Sequence, residues 1–197
     1  MTNYPDFFNT LPTITLQDPL SAFLGTFEKG MVTFSYLDVV KSAGHSCPTV
    51  SGAYITVLKG LEALYGDEIP TRGNIAVSLK NDMQEGVTGV IANVITQITG
   101  ATELNGFKGL NGKFARTNLL EFNADIEAEV RFKRLDTNKT VSVSYDHSSV
   151  PVNPKMQELM GKLMQGVATP EEKKLFAELW QNRVEAIFNS IDEVIKI

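Results

Sequence analysis

The chain has 197 residues, with 18 basic and 23 acidic side chains and a formal net charge of −5. Its 43% hydrophobic and 21% charged residues are typical of a globular protein and exclude collagen-like, low-complexity and mainly disordered classes. The acidic balance disfavours nucleic acid as a partner, because neutralising phosphates requires a basic surface. A single cysteine excludes an intrachain disulfide, and no apolar run reaches the roughly 18 residues of a membrane span. We therefore expect a cytoplasmic protein that binds neither nucleic acid nor membrane.

The first forty residues predict short elements. Ile14 and Leu16 indicate an extended segment, and residues 19–24 indicate a short helix. Apolar residues then alternate with polar ones at Val32, Phe34 and Tyr36, a period of two that predicts a strand.

Two amphipathic helices are predicted in the middle of the chain. After a loop at residues 42–48, apolar residues recur at helical spacing from Val50 to Tyr65, with Pro48 in the first turn and Gly66 as the stop. A strand at 75–79 follows. A second helical face, which we expect to be buried centrally, consists of Val87, Val90, Ile91, Val94, Ile95 and Ile98.

The last third of the chain predicts a hairpin followed by helices. Alternation over 126–132 and 141–145, around a turn at 136–139, indicates two antiparallel strands. A methionine-rich helix at 156–164 precedes a long one that begins at Pro170 and stays apolar on one face as far as Ile195. Strands and helices do not alternate regularly, so we predict an α+β fold with a mixed or antiparallel sheet packed with amphipathic helices. Because one chain of this size would struggle to cover the apolar face of so long a helix, we expect a homodimer.

The chemistry is concentrated in the loop His45-Ser46-Cys47. Imidazole and thiolate are good zinc ligands, and Cys47 stands just before a helix, whose N–H groups and positive dipole end favour the thiolate. A lone cysteine can equally be a small buried apolar residue.

Further metal ligands are scarce in the sequence. A zinc site needs three or four ligands, and the candidates to complete one are water and the side chains of Asp38, Asp82, Glu85 and His147. His147 follows the predicted hairpin, where a solvated turn residue is the ordinary alternative.

The segment Gly44-His45-Ser46-Cys47-Pro48, at the start of an amphipathic helix, resembles the opening of the FmdE-type domain, which takes its name from formylmethanofuran dehydrogenase. Ile98-Thr99-Gly100-Ala101-Thr102 is similar to the end of that family's central helix, and Thr169-Pro170-Glu171-Glu172 to the start of its closing helix. The resemblance divides the chain into an N-terminal extension, residues 1–37, packed on an FmdE-like domain, residues 38–190, that includes the C-terminal helices.

The resemblance implies a metal, typically zinc, bound through His45 and Cys47. This chain departs from the family pattern at three positions: Thr49 replaces a frequent glycine, Val90 or a neighbour replaces a further cysteine, and Asn93 replaces an aspartate. The implied ligand set is therefore incomplete, and we expect a more open site in which a small-molecule ligand can occupy a metal position.

These observations leave several functions open. The leading hypothesis is a zinc-type metal-binding protein. The alternatives are a cysteine-dependent enzyme, with Cys47 as nucleophile and His45 or His147 as base, and an accessory binding module without metal. A shared family does not transfer an enzymatic activity, so no catalytic residue is assigned.

Overall fold

The computed structural model describes residues 3–197 and has an α+β architecture. The strands are β1 (Ile14–Gln17), β2 (Met31–Phe34), β3 (Ile75–Leu79), β4 (Leu120–Glu121), β5 (Val130–Arg134), β6 (Thr140–Tyr145) and β7 (Ile195–Lys196). The helices are α1 (Pro19–Leu24), α2 (Tyr36–Ala43), α3 (Pro48–Tyr65), α4 (Thr88–Thr99), α5 (Lys155–Met164), α6 (Pro170–Asn189) and α7 (Ile191–Val194). Among residues 3–197, no helix is both long and apolar enough to cross a membrane.

A mixed sheet forms the centre of the fold, as predicted. Its strand order is β4-β3-β5-β6-β7, in which β3 and β4 are parallel and the other neighbours antiparallel. Val77 of β3 lies opposite Phe132 of β5. Phe132 is fully buried under α3, where Gly60 leaves room for its ring. The predicted hairpin is therefore confirmed as β5 and β6.

Helix α3 lies between this sheet and the other helices. Pro48 occupies its first turn and Gly66 follows its last residue, as the sequence predicts. It packs against β6 on one side and against α2, α4 and α6 on the others, so its side chains are buried almost all the way round.

Helix α4 is buried along one side, which coincides only in part with the predicted apolar face. Val94, Ile95 and Ile98 lie in the core. The prediction that the whole apolar face is buried is wrong, because Val87 is 51% exposed and Val90 and Ile91 are only half-buried. The reason is that Thr88 and Ala92 are the buried positions in the first turns of α4, so Val90 and Ile91 line open grooves instead.

Two other predictions are corrected. Tyr36 does not extend a strand. It begins α2, because Ser35 caps that helix through a reciprocal capping box with Asp38. The long C-terminal helix does not reach Ile195. It ends at Asn189, and the chain returns as β7 to pair with β6, with Ile195 opposite Tyr145.

The N-terminal segment forms a separate two-stranded sheet of β1 and β2. Phe8, Ile14 and Leu16 join the core. Asp18, which caps α1, forms ion pairs with Arg72 and Arg116 from later parts of the chain.

Candidate metal centre

The loop between α2 and α3 carries the candidate metal ligands. Gly44 ends α2 in the left-handed conformation, with φ of 77°, which a residue with a Cβ rarely adopts. Three residues later, Cys47 is the N-cap of α3. The two candidate ligands thus lie on a short connection between two well-defined helix ends.

His45 is exposed, and one of its ring nitrogens is engaged by the backbone. Its Nδ1 lies 3.1 Å from the carbonyl oxygen of Ala43. Because a carbonyl can only accept, the neutral ring in this contact carries its proton on Nδ1. Nε2 then keeps its lone pair, and a backbone contact of this kind is what orients a metal-binding histidine.

Cys47 is a free, half-buried thiol. Its Sγ accepts a hydrogen bond from the backbone N–H of Val50 at 3.5 Å. The sulfur therefore lies at the N-terminal end of the 18-residue helix α3, where the helix dipole favours negative charge.

Side chains from α2, α6 and β6 form hydrogen bonds with this loop and with the first residue of α3. Trp180 of α6 donates its indole N–H to the carbonyl oxygen of Ser46 at 2.9 Å. The hydroxyl groups of Ser46 and Tyr36 share a hydrogen bond of 2.9 Å, and Tyr145 of β6 donates to the carbonyl oxygen of Pro48, also at 2.9 Å. The loop geometry is therefore set by side chains distant in sequence, which local patterns do not reveal.

The phenols around Cys47 stay protonated at neutral pH. Burial raises the pKa of Tyr36 far above its ordinary value of 10.0, the hydrogen bond with Ser46 lowers it in part, and the nearby Cys47 thiol raises it further. Burial likewise raises the pKa of Tyr145. The hydrogen bond with Ser51 and the charge of Arg183 lower this pKa in part, and the nearby Cys47 raises it. Both rings therefore remain neutral hydrogen-bonding partners.

His147 lies outside the loop, beside Tyr145. Its ring stacks on Tyr145, with centroids 5.3 Å apart and planes 20° from parallel. Burial, and then the charge of Arg183, lower the pKa of His147, while Asp146 opposes them. His147 is therefore a half-buried ring, neutral at pH 7, at the start of a turn that a hydrogen bond from the N–H of Val150 to its carbonyl oxygen closes.

The other predicted ligands have separate roles. Asp38 accepts hydrogen bonds from the N–H and hydroxyl of Ser35. Asp82 accepts from the backbone of Gln84 and from the side chain of Asn123, and Glu85 borders a groove beyond α4. Within residues 3–197, no three or more His, Cys, Asp or Glu side chains are grouped so that they could hold a metal ion. His45 and Cys47 thus carry donor atoms of the type that zinc binds, but residues 3–197 do not provide the three or four ligands of a complete site.

Two further grooves, besides the one that Glu85 borders, lie along α4 and share part of their walls. One, of about 400 Å³ between α2 and α4, is lined by His45 together with Val39, Ser42, Ala43, Val90, Asn93, Val94, Thr96 and Gln97. The other, of about 630 Å³, lies between α4 and the loop that leads to β4. Of the two candidate ligands, His45 therefore borders a space large enough for a small molecule, and Cys47 lines neither groove.

The architecture defines a class of α+β domain. In this class a sheet packs against a central helix, and a His-x-Cys loop immediately precedes that helix. The family described as "FmdE, Molybdenum formylmethanofuran dehydrogenase operon" matches residues 43–196. Because the match covers most of the chain, the protein belongs to the FmdE family, which confirms the resemblance inferred from the sequence. No curated protein matches the chain.

Proposed function

We propose that this protein binds a divalent transition metal, zinc above all, through Nε2 of His45 and Sγ of Cys47. The observation that carries the proposal is the contact between Nδ1 of His45 and the Ala43 carbonyl, which leaves Nε2 as the free donor nitrogen. Imidazole nitrogen and thiolate sulfur are the donor types that zinc prefers. A bound ion of this kind supplies a Lewis acid.

The remaining metal positions are open in this proposal. Val90, where the family resemblance places a further cysteine, lines the groove beside His45 and offers no donor atom. Asn93 lines the same groove and offers a neutral carboxamide oxygen. Water or a small molecule in the groove would therefore complete the coordination, and we assign no reaction to the site.

The test is a calorimetric titration of the purified full chain with zinc. Elemental analysis of the dialysed protein then measures how much metal stays bound. We expect one bound equivalent for the wild type and none for His45→Ala or Cys47→Ala. His147→Ala is the matched control and should retain its metal. Full zinc occupancy in Cys47→Ala would contradict the assignment.

Affinity for zinc should also fall as the pH is lowered from neutral. Both proposed ligands must be deprotonated to bind, so protons compete with the metal for the same lone pairs. An affinity that does not change between neutral and mildly acidic pH would instead indicate carboxylate ligands.

Cysteine-dependent catalysis is a second candidate, favoured by the position of the free Cys47 thiol at the N-terminus of α3. Its test is alkylation of chelator-treated protein with iodoacetamide. A fast reaction that His45→Ala or His147→Ala slows would favour a nucleophile with a histidine base. A protein that neither binds zinc nor reacts quickly would fit an accessory binding module.

We also infer that the protein is a cytoplasmic homodimer. A free thiol persists in a reducing compartment, which supports the cytoplasm. Exposed apolar side chains on α5, on α6 and in the turn between them support self-association.

A further inference from the structure

We propose that the two grooves along α4 form one binding site for an elongated, partly apolar molecule that ends in a cationic amine. The grooves share three wall residues, Val90, Asn93 and Thr96, so they are the two sides of one exposed helix face. Their volumes of about 630 and 400 Å³ each fall in the range of small-molecule sites.

The larger groove has an apolar wall that suits a hydrocarbon or aromatic body. Its apolar side chains come from the segment before α4, from α4, from the loop that follows it and from the β4 region: Met83, Val90, Leu104, Leu120 and Phe122. Leu104 is 72% exposed and Met83 is 47% exposed. Covering these side chains with a ligand would remove apolar surface from water, which favours binding.

The polar groups in the larger groove define the polar end of the ligand. Glu103 is the only Asp, Glu, Lys or Arg among the residues that line these two grooves, and it forms no ion pair within residues 3–197. The side chains of Asn93 and Asn105 also make no hydrogen bond to residues of that range. A single unpaired carboxylate beside two free carboxamides attracts an ammonium group and repels an anion.

The other end of the site deepens the proposed function, on which it rests. His45 lines the smaller groove, so a ligand that extends past Asn93 brings its far end to the proposed metal. An oxygen or nitrogen donor at that end would complete the open coordination. The amine end depends only on Glu103 and the apolar wall, and can be tested without metal.

The experiment uses 4-phenylbutylamine and 4-phenylbutyrate, which share one apolar body and carry opposite charges. Both are titrated into chelator-treated protein, with binding followed by the amide shifts of a ¹⁵N-labelled sample. We expect the amine to bind at least about tenfold more tightly than the acid. The shifts should concentrate in α4 and in the Thr102–Asn105 segment. Equal affinities, no binding of either probe, or shifts elsewhere would overturn the proposal.

Two variants localise the effect. Glu103→Gln should abolish the preference for the amine, whereas Glu127→Gln, which removes an exposed carboxylate outside both grooves, should preserve it. Asn93→Trp fills the shared wall from an exposed position and should weaken both probes at least about tenfold. A preference that survives Glu103→Gln would overturn the assignment of the amine end.

His45→Ala separates this inference from the proposed metal site. The variant should lose zinc and keep its preference for the amine. Loss of the amine preference in a folded His45→Ala protein would contradict an amine subsite that is separate from the metal site. A wild type that binds zinc but shows no preference for the amine would contradict the groove proposal and leave the proposed metal site standing.

Discussion

Asp18 is the residue that ties the N-terminal segment to the rest of the molecule. Its carboxylate lies 2.9 Å from Nη1 of Arg72 and 2.7 Å from Nη2 of Arg116, and it is 5% exposed. Burial raises its pKa, but hydrogen bonds from Arg72 and the backbone of Ser21, with the charges of the two arginines, outweigh burial and leave the pKa below 3.8. Asp18 is therefore charged in the folded protein and compensates the buried guanidinium group of Arg116 and the half-buried one of Arg72.

Asp18→Asn should lower the free energy of unfolding by about 3 kcal/mol at pH 7, because it leaves the two arginines without their counter-charge. Oδ1 of asparagine can still cap α1, but its Nδ2 cannot accept from Arg72, so the loss comprises the charge and that hydrogen bond. Urea denaturation measures the difference. Asp125→Asn, which removes an exposed carboxylate, is the control and should cost less than about 0.5 kcal/mol.

The difference should depend on pH in one direction. A folded-state pKa below the unfolded value means that the stabilisation by Asp18 is complete above about 3.8 and is lost as the pH falls from there through the folded pKa. The wild type and Asp18→Asn should therefore converge in acid. A difference that grows as the pH falls would contradict the assigned charge state.

Gly52 of α3 determines how closely Tyr145 approaches the loop between α2 and α3. A Cβ at this position would overlap Cε1 of Tyr145, whose hydroxyl donates a hydrogen bond to the carbonyl oxygen of Pro48. Gly52→Ala should cost about 1–3 kcal/mol through this overlap, although alanine favours helix. Gly161→Ala in α5, where nothing lies within 4 Å of the added Cβ, should instead stabilise by about 0.5–1 kcal/mol. Thermal denaturation of both variants makes the comparison, and equal effects would contradict it.

Among the elements, α4 shows how one apolar stripe can have two environments. Ile98 is fully buried, whereas Ile91 is only half-buried beside a groove. Ile98→Ala should therefore cost about 2–5 kcal/mol, and Ile91→Ala clearly less, since its site is already open. Urea denaturation of the two variants tests the ranking. Equal losses would mean that Ile91 is packed as tightly as Ile98.

The elements that could be predicted from the sequence are those whose local signals agree. Helix α3 combines a proline start, a glycine stop and a continuous apolar pattern, and the β5–β6 hairpin alternates around a polar turn. Helix α2 was missed because Tyr36 continues the alternation of β2, although Ser35 and Asp38 carry a capping box. Strand β7 has two residues and exists through its pairing with β6, a contact that no local pattern encodes.

At the scale of the whole molecule, the sequence predicted the two candidate ligands but not their surroundings. His45 and Cys47 are recognisable because their donor chemistry and position before a helix are local features. Tyr36, Tyr145 and Trp180 have the spacing of core residues, and only the folded chain brings their polar atoms to the loop. The predicted carboxylate ligands were placed by residue type alone, and tertiary structure assigns Asp38 and Asp82 to capping and loop contacts.

The dimer is expected from the apolar face of the long C-terminal helix α6, but part of that face lies in the core. Phe188 of α6 is 6% exposed and packs against Tyr36 and Tyr54, so it cannot supply the interface. The apolar surface that remains on the C-terminal helices consists of Met160, Met164, Val167 and Leu175. Met164 is 82% exposed and Val167 is 65% exposed, which is unusual for neighbouring apolar side chains on a monomer. We therefore predict a twofold dimer through the α5–α6 turn, since such symmetry buries the same patch on both copies.

Light scattering at micromolar concentration should give about twice the chain mass of 21.7 kDa. The double variant Met164→Asp and Val167→Asp should reduce the measured mass to that of one chain, because it places like charges in a dehydrated contact. Leu24→Asp is the matched control, since Leu24 is 61% exposed on α1, away from this surface, and it should leave the dimer intact. A wild type that scatters as a single chain excludes the dimer. A dimer that survives the double variant but dissociates with Leu24→Asp would move the interface to the N-terminal segment.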